Sequence, residues 1–297
     1  MRYPKDMKNT HLQHPEDSIL TGDLSVLDWF LSASTLSTKV DGAPAVVYGT
    51  NPKNGKFFVG TKSVFNKKKI KINHSHEEIE QNHTGAVAEI LHHCFNYLPF
   101  TSGIVQCDFI GFGGNNTFTP NTITYIFDEI VTQNIVVAPH TKYTCQNDLR
   151  DAIAHPLNHK LNDTETCKFV QPHSWQLDED FDEVIGFARQ MSQLVDFVNE
   201  KTASQLRIEL NKCIREGFSI NPQTFDNPKL ISYWLLIKSI KDDMLYLCRN
   251  NGPKSFITDQ KVSGEGYVRH NKFGSYKLVN RELFSHANFN NNKFSIK

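Results

Sequence analysis

The sequence lacks an excess of either charge, since its 32 lysines and arginines equal its 32 aspartates and glutamates. This balance argues against a protein that binds nucleic acid through overall charge alone. The six cysteines form no CxxC pair, which argues against a zinc ribbon or a disulfide framework and suits a reducing compartment. No apolar run reaches the roughly 20 residues of a membrane helix, and residues 1–20 lack the apolar core of a signal peptide. We therefore expect no membrane contact and a cytoplasmic location, either in a cell or as a viral protein in its host.

The charges are nevertheless distributed unevenly. Residues 53–71 contain seven lysines and no acid, with three phenylalanines among them, whereas residues 178–183 are almost entirely acidic. A local excess of lysine with aromatic neighbours is typical of a phosphate-binding face. The candidate contacts to nucleic acid are Lys67, Lys68, Lys69 and Lys71. An alternative is a solvated sheet edge that lysines protect from pairing with another chain.

The apolar pattern predicts an α+β fold. Residues 45–49 and 56–65 have the β-branched and aromatic character of strands, with a hairpin turn at 51–55. Residues 76–97 have helical spacing, and two further strands are expected at 103–113 and 122–131. After Pro139 the pattern predicts helices at 145–160, 182–217 and 228–250, with Gly217 as a helix C-cap. Strand character returns at 265–279, so we expect a β-rich core formed by 1–139 and 256–297, with a helical insertion or accessory domain at 140–255.

The first chemical signal is the tetrapeptide Lys39-Val40-Asp41-Gly42, directly before the strand at 45–49. A nucleophilic lysine must lose its proton near neutral pH, which requires desolvation or a neighbouring cation. A short loop ahead of a buried strand could provide either. Taken alone, however, the tetrapeptide is better explained as an Asp-Gly turn beside a solvated lysine.

The segments that follow give the tetrapeptide a context. The series is Lys39–Gly42, Thr61–Ser63, Val105–Gly111, Tyr125–Glu129, Glu265–Val268 and Tyr276–Leu278. In order and local form it resembles motifs I, Ia, III, IIIa, IV and V of the covalent nucleotidyltransferases, which include DNA ligases, RNA ligases and mRNA-capping enzymes. The resemblance covers most of residues 39–128 and 265–284. It implies a ligase-type nucleotidyltransferase core of antiparallel sheets.

The resemblance also implies roles for individual residues. Lys39 would attack the α-phosphate of ATP and carry AMP, within a nucleotide loop that includes Asp41 and Gly42. Glu265 would position a divalent metal near that phosphate, and Asp108 would contact the ribose or a metal-bound water. Mg²⁺ is expected because it favours oxygen ligands and phosphates, with Mn²⁺ as an alternative. Both acids also have purely structural interpretations. Asp108 could be a polar residue at a strand edge, and Glu265 could simply begin a strand.

Three further residues receive roles in the same way. Phe127 would stack on the purine, a type of contact worth about 1–3 kcal/mol in nucleic-acid binding. Lys277 and Lys62 would offset the negative charge that develops on the transferred phosphate. The structural alternatives are a core aromatic at Phe127 and solvated strand residues at both lysines.

The sequence departs from the family pattern in three places. Pro44 stands where many members have a basic residue, and Lys277-Leu278-Val279 retains one lysine of the usual Lys-x-Lys. Asp108 is one methylene shorter than the usual glutamate. Arg269, Lys272 or the lysines of 67–71 could compensate for the missing positive charge.

The function that the resemblance implies is an ATP-dependent polynucleotide ligase that joins 5′-phosphate and 3′-hydroxyl ends of RNA or DNA, acting as a monomer. The sequence ends 20 residues after Lys277, so we expect no C-terminal OB domain of the kind found in DNA ligases and capping enzymes. RNA-ligase-like members are therefore the nearest comparison. Alternatives are a capping-type guanylyltransferase, a non-catalytic nucleotide- or nucleic-acid-binding protein on the same fold, and a helical interaction protein with an accidental motif set.

Overall fold

The computed structural model describes residues 12–290, which form an α+β fold of antiparallel sheets and helices. The strands are β1 (Thr35–Lys39), β2 (Ala45–Thr50), β3 (Phe57–Gly60), β4 (Ile104–Phe112), β5 (Asn115–Phe118), β6 (Thr124–Val131), β7 (Ile135–Thr144), β8 (Ile153–Pro156), β9 (Cys167–Phe169), β10 (Ser174–Gln176), β11 (Cys248–Asn250), β12 (Lys254–Ile257), β13 (Gln260–Val262), β14 (Gly266–Asn271) and β15 (Gly274–Leu278). The α-helices are α1 (Pro15–Ser18), α2 (Ser25–Leu31), α3 (His76–Asn82), α4 (Gly85–Tyr97), α5 (Asp182–Ser192), α6 (Glu200–Glu216), α7 (Pro228–Leu247) and α8 (Arg281–Asn290). The predicted fold class is thus confirmed at the level of α+β.

The largest sheet has the strand order β3-β2-β4-β7-β8, all antiparallel, and β9 adds to β7 in parallel. Its central strands β2 and β4 are largely buried, because α3 and α4 cover one face while short 3₁₀ turns and a second sheet cover the other. The turn at residues 51–55 joins β2 to β3, as the sequence predicted, and the Asn51 N–H bonds to the Lys56 carbonyl across it at 2.9 Å.

A three-stranded sheet of order β1-β14-β15 brings residues distant in sequence together. Lys39 at the end of β1 lies opposite Gly266, and Val268 lies opposite Lys277 on β15. The candidate motifs at the two ends of the chain therefore share one small sheet.

Two smaller sheets complete the β structure. The strands of one follow the order β13-β12-β6-β5, and this sheet packs on the largest sheet through apolar residues such as Tyr125 and Ile110. In the other, β10 pairs with β11. The second sheet carries Tyr125 and Phe127 on β6, and Tyr125 reaches the loop after Lys39.

The helical layer consists of α5, α6 and α7 packed against α1 and α2. Its core is centred on residues such as Trp234 and Ile237, and it also includes Tyr267 and Leu278 of the three-stranded sheet. Gly217 ends α6 in the left-handed conformation with φ of 74°, so the predicted C-cap is confirmed. The helices therefore support the back of the strands that carry Lys277.

Several predicted elements are wrong in detail. The helix expected at 145–160 is absent: Leu149–Asp151 is a 3₁₀ turn and β8 at Ile153–Pro156 pairs with the end of β7. The helix expected at 76–97 is two helices, α3 and α4, separated at residues 83–84, where His83 and Thr84 are extended and Gly85 has φ of 61°. The strand expected at 56–65 ends at Gly60, and a 3₁₀ turn follows.

The predicted division into core and insertion stays a prediction, but its edges do not coincide with element boundaries. The edge at 139/140 falls inside β7 and the edge at 255/256 falls inside β12. Within 140–255 the α-helices are confined to 182–247, and strand structure resumes at β11, earlier than the sequence indicated. Across residues 12–290, none of the helices combines the length and apolarity needed to cross a bilayer.

Candidate active site

Lys39 is the last residue of β1, whereas the sequence pattern placed it in a loop. Its carbonyl accepts a 3.0 Å bond from the Glu265 N–H, which fixes the residue before β14 beside the end of β1. The Lys39 Nζ atom contacts Glu265 Oε2, and the two side chains are 28% and 19% exposed. Both groups are therefore partly desolvated and still reachable from solvent.

Glycines allow the strands to approach this closely. Gly266 has φ of 137°, and a Cβ atom there would collide with the Leu278 carbonyl oxygen of β15. Gly264 has φ of 72°, and a Cβ atom there would lie 3.1 Å from the Lys39 carbonyl oxygen. A side chain at either position would be strained and crowded. The Gly-x-Gly spacing around Glu265 thus serves the packing of β1, β14 and β15.

Lys277 lies on β15 next to this pair. Its N–H donates to the Gln13 carbonyl at 3.0 Å, which ties the strand to the segment before α1. Burial lowers the pKa of Lys277, and the positive charges of Lys39 and Arg281 lower it further, while Glu265 opposes the shift. Lys277 is therefore close enough to Lys39 and Glu265 for their charges to affect one another.

Asp41 and Gly42 lie in the loop between β1 and β2. The Asp41 N–H donates to Tyr125 Oη at 2.7 Å, and a Cβ atom at Gly42 would lie 2.6 Å from the Phe109 carbonyl oxygen. The loop is thus held flat against β4 and β6. Burial raises the pKa of Asp41 to about 6; the negative charges of Glu265 and Asp108 add to this, and Lys39 and a hydrogen bond with Asn121 oppose it.

Asp108 lies on β4 opposite Ala45, directly beyond the loop that contains Asp41. Its Oδ1 atom is 3.6 Å from His140 Nε2, and the Asp108 side chain is 19% exposed. The charges of Asp108, Lys39 and Glu265 all act on Asp41, and those of Lys39 and Glu265 act on Lys277. We call these five residues the lysine–carboxylate cluster.

The structure places Phe127 on the same side of β6 as Tyr125, in edge-to-face contact with Phe118 at 5.6 Å between ring centroids. It is half-buried and borders a cleft of about 480 Å³ that Lys160, Asp163 and Lys168 also line. Stacking of Phe127 on a purine stays a prediction.

The remaining candidate lysines lie in the segment after β3. Lys62 is exposed and begins a 3₁₀ turn, and Lys67, Lys68 and Lys69 are exposed. Lys71 donates to the Asn82 carbonyl at 2.6 Å, so it caps the last turn of α3. The roles of these lysines toward nucleotide and nucleic acid stay predictions.

Arg269 cannot compensate for a missing phosphate-binding residue, as the sequence suggested it could. It is 6% exposed, its guanidinium donates to the carbonyl oxygens at the end of α2, and it lies over the Trp29 ring. It therefore terminates a helix, and burial lowers its pKa to about 10.

A second group of charges lies beyond Lys277, and sequence reasoning missed it. Arg281 Nη1 is 3.0 Å from Glu16 Oε1 and 2.9 Å from Asp17 Oδ1. Lys241 Nζ is 3.8 Å from Glu16 Oε1 and donates to the Val279 carbonyl. We call Glu16, Asp17, Lys241 and Arg281 the buried ion cluster, because their side chains are at most 8% exposed. It fastens the segment before α2 to the end of β15, where Lys277 lies.

His14, whose Nδ1 atom is 4.0 Å from Glu16 Oε1, is affected by the charges of both clusters and was also missed. Burial strongly lowers its pKa, and the positive charges of Arg281, Lys277, Lys241 and Lys39 act in the same direction. Tyr125 could have been found from its two-residue offset to Phe127 on one strand face. His14, Asn121 and His140 carry no sequence signal that would have placed them here.

In the described part of the chain, no three or more His, Cys, Asp or Glu side chains are arranged to hold a metal ion. The metal ligands expected at Glu265 and Asp108 therefore stay predictions.

Fold and site define an α+β protein in which Lys39 contacts Glu265 on a three-stranded sheet, within range of the charges of Lys277 and Asp41. The chain belongs to a family described as "Family of unknown function (DUF6267)", which matches residues 9–227 and 207–293. A search of curated proteins and a search of solved structures each gave no match.

Proposed function

We propose that the protein is an ATP-dependent polynucleotide ligase with a nucleotidyltransferase core, in which Lys39 carries AMP. The observation that supports this most is the contact of Lys39 Nζ with Glu265 Oε2 across 226 residues of sequence, beside Lys277. A solvated lysine in a simple turn would have neither neighbour.

The first step is attack of the Lys39 amine on the α-phosphorus of ATP. A P–N bond forms, the P–O bond to the β-phosphate breaks, and pyrophosphate leaves. The amine must lose a proton, which would pass to solvent, because Lys39 is partly exposed and Glu265, the carboxylate in contact with Nζ, would hold the magnesium ion. Lys277 offsets the charge on the phosphoryl oxygens, which is the main contribution a protein makes to phosphoryl transfer.

A magnesium ion fits this donor set in one specific way. Mg²⁺ in phosphate sites takes one or two carboxylates and fills its other positions with water and substrate phosphate. Glu265, which contacts Lys39, and Asp108, which lies next to His140, are partly exposed carboxylates and would hold it. The ion would supply charge neutralisation and orientation at the phosphates.

Two further transfers complete ligation. An oxygen of a 5′-phosphate end attacks the AMP phosphorus, which breaks the P–N bond and returns the amine of Lys39. A 3′-hydroxyl then attacks the 5′-phosphorus, forms the phosphodiester bond and releases AMP. The exposed Lys67, Lys68 and Lys69 would hold the strand by its backbone phosphates.

The test is incubation with α-labelled ATP or GTP, followed by denaturing electrophoresis and by joining assays on 5′-phosphate RNA and nicked DNA. We expect label from ATP, none on Lys39→Ala, and joined strands. Label from GTP alone would indicate the capping-type alternative. Nucleotide binding without a stable adduct would indicate a non-catalytic protein.

We further propose that the protein works as a monomer in the cytoplasm. The six free cysteines support the location, since an oxidising compartment would favour their pairing.

A further inference from the structure

A pair of histidines outside the lysine–carboxylate cluster lies between α3 and α4. His76 is the first residue of α3 and His92 is in the middle of α4. Their Nδ1 atoms are 2.7 Å apart, with ring centroids at 4.9 Å and planes inclined by 30°. The Phe95 ring packs edge-on against His76 at 5.2 Å.

The other nitrogen of each ring has an oxygen partner. His92 Nε2 is 2.7 Å from Glu80 Oε1, and His76 Nε2 is 3.1 Å from Asn96 Oδ1. A carboxylate oxygen only accepts, and so does an amide oxygen. Both Nε2 atoms therefore carry hydrogens and donate, since each faces an acceptor.

With hydrogen on Nε2, the Nδ1 atom of a neutral ring carries a lone pair and no hydrogen. One proton shared between the two Nδ1 atoms gives the hydrogen bond of 2.7 Å, and a metal ion that both nitrogens ligate would take the place of that proton. A ring that ligates a metal through one nitrogen usually donates from the other to a carboxylate, amide or carbonyl oxygen. His76 and His92 have this arrangement on both sides, although neither belongs to the lysine–carboxylate cluster.

We propose that His76 and His92 bind a divalent transition-metal ion through their Nδ1 atoms, with Glu80 and Asn96 orienting the rings. Imidazole ligands suit Zn²⁺, Ni²⁺ and Cu²⁺. Zn–N distances of about 2.0–2.1 Å correspond to about 3.3 Å between two nitrogens in tetrahedral geometry. The rings must therefore separate by about 0.6 Å, which small side-chain rotations on two different helices can provide. Water completes the coordination, because the protein supplies two ligands.

Such an ion would brace α3 against α4. The helices are joined in sequence by the extended residues His83 and Thr84, so a metal link between His76 and His92 would help to fix the angle between them. The site is independent of the proposed ligase activity, and its test requires no substrate.

The test is calorimetric titration of ZnCl₂ into the metal-free full chain near neutral pH. We expect one ion per chain for the wild type, loss of that binding in His76→Gln and in His92→Gln, and a 10- to 100-fold weaker affinity in Glu80→Ala. His155→Gln is the matched control, since His155 is a surface histidine bonded to Thr144, and it should bind as the wild type does. Absence of binding to the wild type, or binding as tight as that of the wild type in either glutamine variant, would overturn the proposal.

A second measurement uses only the wild-type protein and therefore applies even if the glutamine variants do not fold. Ni²⁺ added to the wild-type protein should broaden the imidazole proton signals of His76 and His92 before those of His155. Broadening that begins at other histidines would contradict the assignment.

Discussion

The two charged groups near β15 differ in exposure and in pairing. In the buried ion cluster, Glu16, Lys241 and Arg281 are almost completely shielded from solvent and each has opposite charges as neighbours. In the lysine–carboxylate cluster, Lys39 and Glu265 keep 28% and 19% of their side chains exposed. A buried, mutually paired set holds structure, while a partly exposed set with a second lysine nearby can receive a charged ligand. The contrast gives Arg281 a structural role and is consistent with the role proposed for Lys39.

The largest effect is expected from Lys277. The variant Lys277→Ala should slow transfer of AMP to Lys39 by about 10²–10³-fold, as loss of one charge-stabilising donor typically does. Single-turnover labelling with ATP measures this rate. The exposed Lys229→Ala at the start of α7 is the matched control. An unchanged rate in Lys277→Ala would remove that residue from the site.

Substitutions in the buried ion cluster should lower the free energy of unfolding. The variant Arg281→Met leaves Glu16 and Asp17 without their main partner, and breaking a buried pair costs about 3–5 kcal/mol in free energy of unfolding. Urea denaturation measures it. Arg189→Met removes an exposed pair with Asp28 and should cost about 1 kcal/mol or less. Equal losses in both variants would abolish the distinction between the two clusters.

Asp41 should make the free energy of unfolding depend on pH. Because its folded pKa of about 6 exceeds the unfolded value, ionisation disfavours the folded state, and stability falls as pH rises from about 4 to above 6. The variant Asp41→Asn should be stabilised relative to wild type at pH 7, by about 3 kcal/mol at most, and this difference should vanish near pH 4. Urea denaturation at both pH values checks this. A difference that does not change with pH would show that Asp41 titrates normally.

The smallest effect on stability is expected from an exposed ion pair on the surface of the second sheet. Lys254 and Asp128 form a 3.3 Å pair with side chains 63% and 87% exposed. Lys254→Ala should change the free energy of unfolding by less than about 1 kcal/mol, and 1 M salt should remove the change. A larger loss would mean that exposure is a poor guide to the role of charged pairs here.

The sequence was informative where local pattern decides structure. The hairpin at 51–55 and the strands β4 and β6 follow from turn residues and β-branched runs, and Gly217 ends α6 as its position predicted. Residues 145–160 show where this fails, because pairing of β8 with β7 overrides a helical spacing of apolar residues.

Charged residues were harder to assign. Nothing in the local sequence distinguishes an arginine that binds phosphate from Arg269, which terminates α2, or an acid that binds metal from Glu16, which pairs with Arg281. These roles depend on contacts across more than 200 residues of sequence. The approach of Lys39, Glu265 and Lys277 is likewise a long-range feature, which the motif order suggested and local pattern could not.

The most direct test of the central claim is the intact mass of the protein after incubation with ATP and magnesium, beside Lys39→Ala. We predict a gain of one AMP on the wild type and none on the variant, with both proteins folded by circular dichroism. No gain on wild-type protein that was free of AMP at the start, or the same gain on Lys39→Ala, would contradict the assignment of Lys39 as the nucleophile.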